Sequence, residues 1–317
     1  MPTERIPVER RVAMTPEEFR NQHLQMRRPV VITHALSWPA LEKWSFEWFR
    51  DVYGDFDVEL SVNPTHTQKV VNMKLGVYVQ RILSNAGMTG GLYLDQFPLS
   101  KLPALKEDYS IPQFCDPARE IKPHLWIGPG TTVLSFHKDN HSALVPVDNI
   151  FVQIRGYKKI LLADPDNDPF MYPRSAADGA EWHSQVNPEQ VDLARFPAYS
   201  EARVLEATVG PGDVIYIPQN YWHYVRALEP SISMSFWWIP SQLSVVCDKL
   251  LRNVMAVSDD CCLTLDDIEE FGGMEQFVSA LKASSEGVGG VDFRERLLTI
   301  FDEDTRNTLR VRLCMPR

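Results

Sequence analysis

His137 and Asp139 stand two positions apart in the apolar run LSFHKD. Side chains at i and i+2 of a strand point to one face, so an imidazole and a carboxylate share one side of this segment. A second histidine, His223, follows a Gly-Asp turn and a strand-like VIYIP in GPGDVIYIPQNYWHYVRAL. In an antiparallel barrel, strands distant in sequence become neighbours, which would set His223 opposite the His137/Asp139 face. Two imidazoles and one carboxylate leave three positions of an octahedron open, a set suited to Fe(II) that must bind a bidentate co-substrate and O2. A structural zinc would ask for four closed protein ligands, usually including thiolates, and no cysteine lies near these motifs.

The elements that must position these residues are short strands. From about 121 to 240 the chain runs through HLWIGPGTTVLSFHKD, NIFVQIRGYKKILLADP, ARVLEATVGPGDVIYIP, WHYVRAL and SISMSFWWIP, separated by Gly, Pro, Asn and Asp. That punctuation predicts an antiparallel sandwich or barrel, best a jelly roll or cupin. The polar stretch 164–200 is expected as surface structure near the barrel mouth. Before residue 121 helices and short strands mix: Thr15 is a candidate N-cap, with Phe19 and Leu24 as buried positions. RPVVITHAL and VELSVN read as strands. SWPALEKWSFEWFRDVYG reads as one helical region with Trp44 and Trp48 on its apolar side, and MKLGVYVQRILSNAG as another helix. After Pro240, QLSVVCDKLLRNVMAVS, TLDDIEEFGGMEQFVSALKAS and DFRERLLTIFDEDTRNTLRVRL carry helical spacing. The expected fold is mainly β with α additions: a double-stranded β-helix core, a mixed N-terminal segment and a C-terminal helical region. The expected division is 1–240 and 241–317, the second part forming a homodimer because apolar helices added to a closed barrel need covering.

Composition narrows the class. Among 317 residues, 42 acidic against 32 basic side chains give a net charge of −10, which disfavours bulk capture of nucleic acid. The charged start MPTERIPVERRV lacks the apolar core of a signal peptide, and no run of apolar residues is long enough to span a membrane. A cytoplasmic protein with reduced thiols is the expectation, since the five cysteines have no C-x-x-C spacing.

WIGPGTTVLSFHKD, VDNIFVQIRGYKKILLADP and GPGDVIYIPQNYWHYVRAL followed by SMSFWW resemble, in order and spacing, the Jumonji-C 2-oxoglutarate-dependent oxygenases, in particular their small hydroxylase branch. The similarity extends more weakly from TPEEF to about residue 240. The resemblance implies Fe(II) held by His137, Asp139 and His223, with 2-oxoglutarate and O2 as co-substrates. It places Lys158 on the lysine that grips the distal carboxylate of 2-oxoglutarate, Tyr93 on a tyrosine reaching that carboxylate, and Asn149 on an asparagine that helps hold the co-substrate. Trp126 falls on an aromatic lining the substrate side. Two departures stand out. Leu134 occupies a position where the family carries a Ser or Thr donor, and about six extra residues lie between Asp139 and Asn149, beside the metal ligands.

The activity implied is hydroxylation of an unactivated C–H bond on a side chain of a protein or peptide, with 2-oxoglutarate converted to succinate and CO2. Three other outcomes fit the same ligand set: N-methyl-lysine demethylation, hydroxylation of a tRNA base or small molecule, and a catalytically silent binding barrel.

Overall fold

The computed structural model describes residues 5–63, 69–84, 91–119, 121–141, 145–175, 182–239 and 307. Two short strands come first, β1 (Arg5–Pro7) and β2 (Arg10–Val12). Thr15 then caps α1 (Pro16–Phe19) reciprocally: its hydroxyl accepts from the Glu18 N–H, and the Glu18 carboxylate accepts from the Thr15 N–H, which satisfies donors a helix start leaves free. A π-helical turn extends α1, and β3 (Val30–Thr33) follows.

The region expected as one helix is two, α2 (Ala40–Lys43) and α3 (Phe46–Tyr53). Ser45 causes the break, because its hydroxyl accepts from the Trp48 N–H and starts α3 afresh. Trp44 is therefore extended, fully buried, and donates its indole N–H to Asp108 at 2.9 Å. It shares no helix face with Trp48. Next come β4 (Asp57–Val62) and β5 (Val70–Lys74). Met73 and Lys74, expected as helix, close β5, and α4 (Leu75–Leu83) starts only after them. The strand β6 (Leu92–Pro98) completes the N-terminal part.

The remaining strands are β7 (Lys122–Gly128), β8 (Val133–His137), β9 (Asn140–His141) and β10 (Val145–Pro146), then β11 (Asp148–Arg155), β12 (Lys158–Ala163), β13 (Val204–Val209), β14 (Val214–Ile217), β15 (Trp222–Ala227) and β16 (Ser231–Trp238). β9 and β10 pair only with each other, and the others join the earlier strands in two facing sheets. The smaller runs β1-β13-β12-β15-β8 and the larger β2-β3-β14-β11-β16-β7-β6-β4-β5. The chain passes between them repeatedly, which is the double-stranded β-helix. Gly156 turns β11 into β12 with φ +70°, and a Cβ there would lie 2.2 Å from the Pro230 carbonyl oxygen, so the turn that delivers Lys158 requires glycine.

Period-two alternation sorts the strand residues into three layers. Phe151, Ile160, Leu162, Ile215 and Val225 fill the space between the sheets. Ile150, Val152, Met234 and Phe236 face outward from the larger sheet and pack with Phe19, Phe49, Tyr78 and Val79. Leu161, Trp222 and Tyr224 face outward from the smaller sheet. The stretch 164–200, expected as surface structure, covers that last face: Met171, Val186, Phe196 and Tyr199 are buried on it. It also lengthens the sheet, since the Lys138 N–H donates to the Trp182 carbonyl and the Ser184 N–H to that of Phe136.

The chain divides into a unit of residues 1–139 and 148–238 and a second of 140–147 and 239–317. The β9–β10 hairpin thus falls in the second unit. Apart from the single helical residue 307, the helices expected over 241–317, the dimer built on them, and Cys247, Cys261, Cys262 and Cys314 lie outside the described residues. Cys115 is a free, buried thiol. No helix among the described residues is long and apolar enough to cross a membrane.

Candidate active site

His223 on β15 stands directly opposite His137, the last residue of β8, in the antiparallel register. Their rings are 4.0 Å apart between centroids. Asp139, two residues beyond His137, turns its Oδ1 toward both, 3.5 Å from His223 Nε2 and 3.8 Å from His137 Nε2. The three donor atoms lie within 4.8 Å of one another, and among the described residues no other group of three such side chains converges this way. Each histidine faces a carbonyl through Nδ1, His137 that of Ser135 at 2.8 Å and His223 that of Tyr221 at 3.2 Å. A proton on Nδ1 satisfies each carbonyl and leaves a lone pair on Nε2, the usual way a metal-binding imidazole is oriented. Two neutral nitrogens and one carboxylate oxygen match the donor set of a non-haem Fe(II) site.

Electrostatics favour an ionised Asp139 and a neutral His137, while His223 has to give up a proton held by Asp139 before it can bind a cation. Burial by itself would raise the Asp139 carboxyl, but His223, His137 and the Trp237 indole together hold it well below the ordinary carboxylate range. Burial and the neighbouring His223 push His137 down to about 3, so it is neutral near pH 7. Burial would also lower His223, yet Asp139 outweighs it and raises that imidazole. The second carboxylate oxygen of Asp139 accepts two N–H donors, Asn149 Nδ2 at 2.9 Å and Trp237 Nε1 at 2.8 Å. Asn149, expected at the co-substrate, thus supports the metal-facing carboxylate directly.

Lys158 opens β12 on the same interior face. It is 2% exposed, donates to Ser233 Oγ at 2.7 Å and Tyr93 Oη at 3.1 Å, and lies 5.0 Å from the centre of the Phe151 ring. Among the described residues it has no carboxylate partner. Burial lowers its pKa to about 7. An ammonium so enclosed is costly to hold. It fits an anion brought in by a ligand.

This burial carries a stability prediction with a defined sign. The folded pKa of about 7 lies below the ordinary lysine value of 10.5, so the unfolded chain binds the extra proton between those limits and stability rises with pH across them. Below pH 7 the full penalty stands, on the order of several kcal/mol at ~1.4 kcal/mol per pH unit. Lys158→Met should therefore raise the Tm of the ligand-free protein at pH 6, and raise it less at pH 9. An equal gain at both pH values, measured by calorimetry, would contradict the buried cation.

Trp126 on β7 is 6% exposed, its ring packed 5.8 Å from both Tyr93 and Trp237 and its Nε1 donating to Ser235 Oγ at 2.9 Å. Leu134 packs on the interior apolar cluster and pairs with Val225, three residues from His137 across a register shift. The hydroxyls beside Lys158 come instead from Tyr93 and Ser233. Trp237, Ser233 and Ser235 were not singled out from the sequence. Their signal is the alternation in SISMSFWW: Ser231, Ser233, Ser235 and Trp237 share one face of β16, and Ile232, Met234 and Phe236 the other. Serines repeated on the inward face of a barrel strand mark polar space where packing alone would place apolar side chains.

Residues 16–243 match a family described as a cupin-like domain. The chain is 35% identical over 233 residues to "Lysine-specific demethylase 8" of Danio rerio, covering 70% of this chain and 56% of that protein. It is 31% identical over 238 residues to "Jumonji C domain-containing protein 5" of Drosophila melanogaster, covering 70% and 57%. It is 26% identical over 264 residues to the human "Bifunctional peptidase and (3S)-lysyl hydroxylase JMJD7", covering 71% and 81%. The chain spans about half the length of the first two of these relatives.

Proposed function

This chain belongs to the cupin-like Jumonji-C family of oxygenases, whose cofactors are Fe(II), 2-oxoglutarate and O2, and from that membership we propose that it hydroxylates a side chain of a protein or peptide. What supports the 2-oxoglutarate part of this reading is the spacing of the trio and Lys158 along β12. His223 pairs with Leu162 on β12, and Lys158 lies four residues along the same strand, about 13 Å of extended chain. Between them run Ile160, Val225 and Leu134, an apolar row across three strands. A dicarboxylate with a short methylene chain suits that layout: one end at the histidines and Asp139, the methylenes on the apolar row, the far carboxylate on Lys158.

In this reading His137, Asp139 and His223 hold Fe(II). When bound, the metal with 2-oxoglutarate and O2 supplies the oxidation: one oxygen atom goes to the C–H bond, the other to succinate, and CO2 is released. The protein's own groups do the rest. Asn149 and Trp237 hold Asp139 by its outer oxygen and leave Oδ1 for the metal. Lys158 meets the distal carboxylate by a charge-assisted hydrogen bond, stronger than a neutral one, and Tyr93 and Ser233 orient the ammonium. Trp126, with Trp237 and Tyr93, walls the interior so that water is kept from the reacting carbon.

Relatives named for lysine demethylation and for lysyl hydroxylation make reaction outcome the point to test. Proteins and peptides turned over with 2-oxoglutarate and labelled O2 should gain one labelled oxygen by mass spectrometry. Loss of a methylene unit with stoichiometric formaldehyde would replace hydroxylation by demethylation.

A further inference from the structure

His137 and His223 must be held in step across two strands, yet the pairing that joins those strands ends where they sit. β8 ends at His137, Asp139 lies beyond it, and the register of β8 against β15 shifts between His223 and Val225. Something other than the ladder has to fix the two ligand-bearing ends. The residues adjoining the ligands, Lys138 and Trp222, point by strand alternation to the opposite, outer face. There both reach the same carboxylate. Lys138 Nζ donates to Asp168 Oδ1 and Oδ2 at 2.7 and 2.8 Å, and Trp222 Nε1 donates to Oδ1 at 2.6 Å. The Lys138 ammonium also lies 4.7 Å from the centre of the Trp222 ring.

We infer that Asp168 is a positioning residue that locks the strand end carrying His137 and Asp139 to the strand carrying His223, from behind the metal centre. Asp168 belongs to neither strand: it comes from the 3-10 turn Pro165–Phe170, just after β12. The donors are the enclosed partners, Lys138 at 8% and Trp222 at 2% exposure. The pair is enclosed on the Lys138 side only, the Asp168 side chain being 36% exposed, so it adds little net stability, and the best-attested use of such enclosed polar contacts is to select one register. Register is what a three-residue ligand set on two strands needs. The backbone of residues 182–184 also flanks this strand end, through the Lys138 N–H on the Trp182 carbonyl and the Ser184 N–H on the Phe136 carbonyl, so the side-chain lock adds to a strand end flanked on both sides.

The inference rests on the reading of the trio as a metal site, and the experiment separates the two. Mn(II) affinity is measured by electron paramagnetic resonance without co-substrate, well below the Tm of every variant, for wild type, Asp168→Asn, Trp222→Phe and Glu189→Gln. Trp222→Phe keeps a packed ring and removes one N–H, so it serves if Asp168→Asn does not fold. Glu189→Gln breaks a comparable cluster, with Lys159 and Arg226, on β12 and β15 away from the ligands. Both Asp168→Asn and Trp222→Phe should weaken Mn(II) roughly 10–100-fold, the range of partners that orient metal ligands, with Glu189→Gln at the wild-type value. Wild-type affinity in the first two, or an equal loss in Glu189→Gln, overturns the lock while the metal site stands. A wild type that binds no Mn(II) overturns the metal site and the lock with it.

Discussion

Asp139→Ala should leave a folded barrel that retains neither Fe(II) nor Mn(II) and turns over no substrate. The side chain supplies the only negative donor of the trio, and neutral imidazoles alone offer a divalent ion no charge compensation in a buried site. Metal should bind more than about a hundredfold less tightly, beyond the roughly 10–100-fold typical of groups that merely orient a ligand. The substitution also frees the Asn149 amide and the Trp237 indole, whose hydrogen bonds end on Asp139. A modest fall in Tm from two unpaired donors, the buried Asn149 amide and the partly buried Trp237 indole, is therefore expected alongside the loss of metal. Unchanged metal occupancy, by elemental analysis after gel filtration, would defeat the assignment of the trio.

Lys158→Ala should weaken 2-oxoglutarate strongly and leave the metal alone. Truncating one partner of a buried, hydrogen-bonded charge pair costs about 2–5 kcal/mol, which is roughly a 30- to 5,000-fold rise in Kd at ~1.4 kcal/mol per decade. Mn(II) affinity without co-substrate should stay within about twofold, since Lys158 lies four residues along β12 from the rung that holds His223 and affects the metal only through long-range charge. Calorimetric titration of the Mn(II)-loaded variant checks both halves. Retained 2-oxoglutarate affinity would assign the distal carboxylate to another cation.

The candidate metal-binding trio was legible because the strand period of two puts His137 and His223 on one face, and the chain leaving β8 keeps that direction for one more step and turns Asp139 to both. The barrel was legible for the same reason. Trp44 was misplaced because four-residue spacing from Trp48 imitates a helix face, and only the hydroxyl of Ser45, a local competitor for a backbone N–H, cuts the helix there. The stretch 164–200 looked like surface because its apolar residues, Met171, Val186, Phe196 and Tyr199, are scattered among polar ones without period. Asp168 was invisible for a different reason: nothing in a sequence ties an aspartate in a turn to a lysine thirty residues before it and a tryptophan fifty-four after it. Trp237 and the β16 serines lay in a quoted motif, and alternation would have pointed them inward.

The order of the strands sets a timetable for synthesis. β1 lies parallel on β13, with Arg5 against Val204, and β2 lies on β3 in the other sheet, so residues 5–12 stitch both sheets at one end. The first of those seams needs a partner translated about two hundred residues later, some 10–40 s at ribosomal rates of 5–20 residues/s. His137 waits in the same way for His223, its cross-strand partner. Until both seams can close, the nascent chain carries two of the three candidate metal-binding side chains and an unpaired leading strand. The three side chains of the candidate metal site can therefore come together only after His223, on the penultimate strand of the barrel, has been translated.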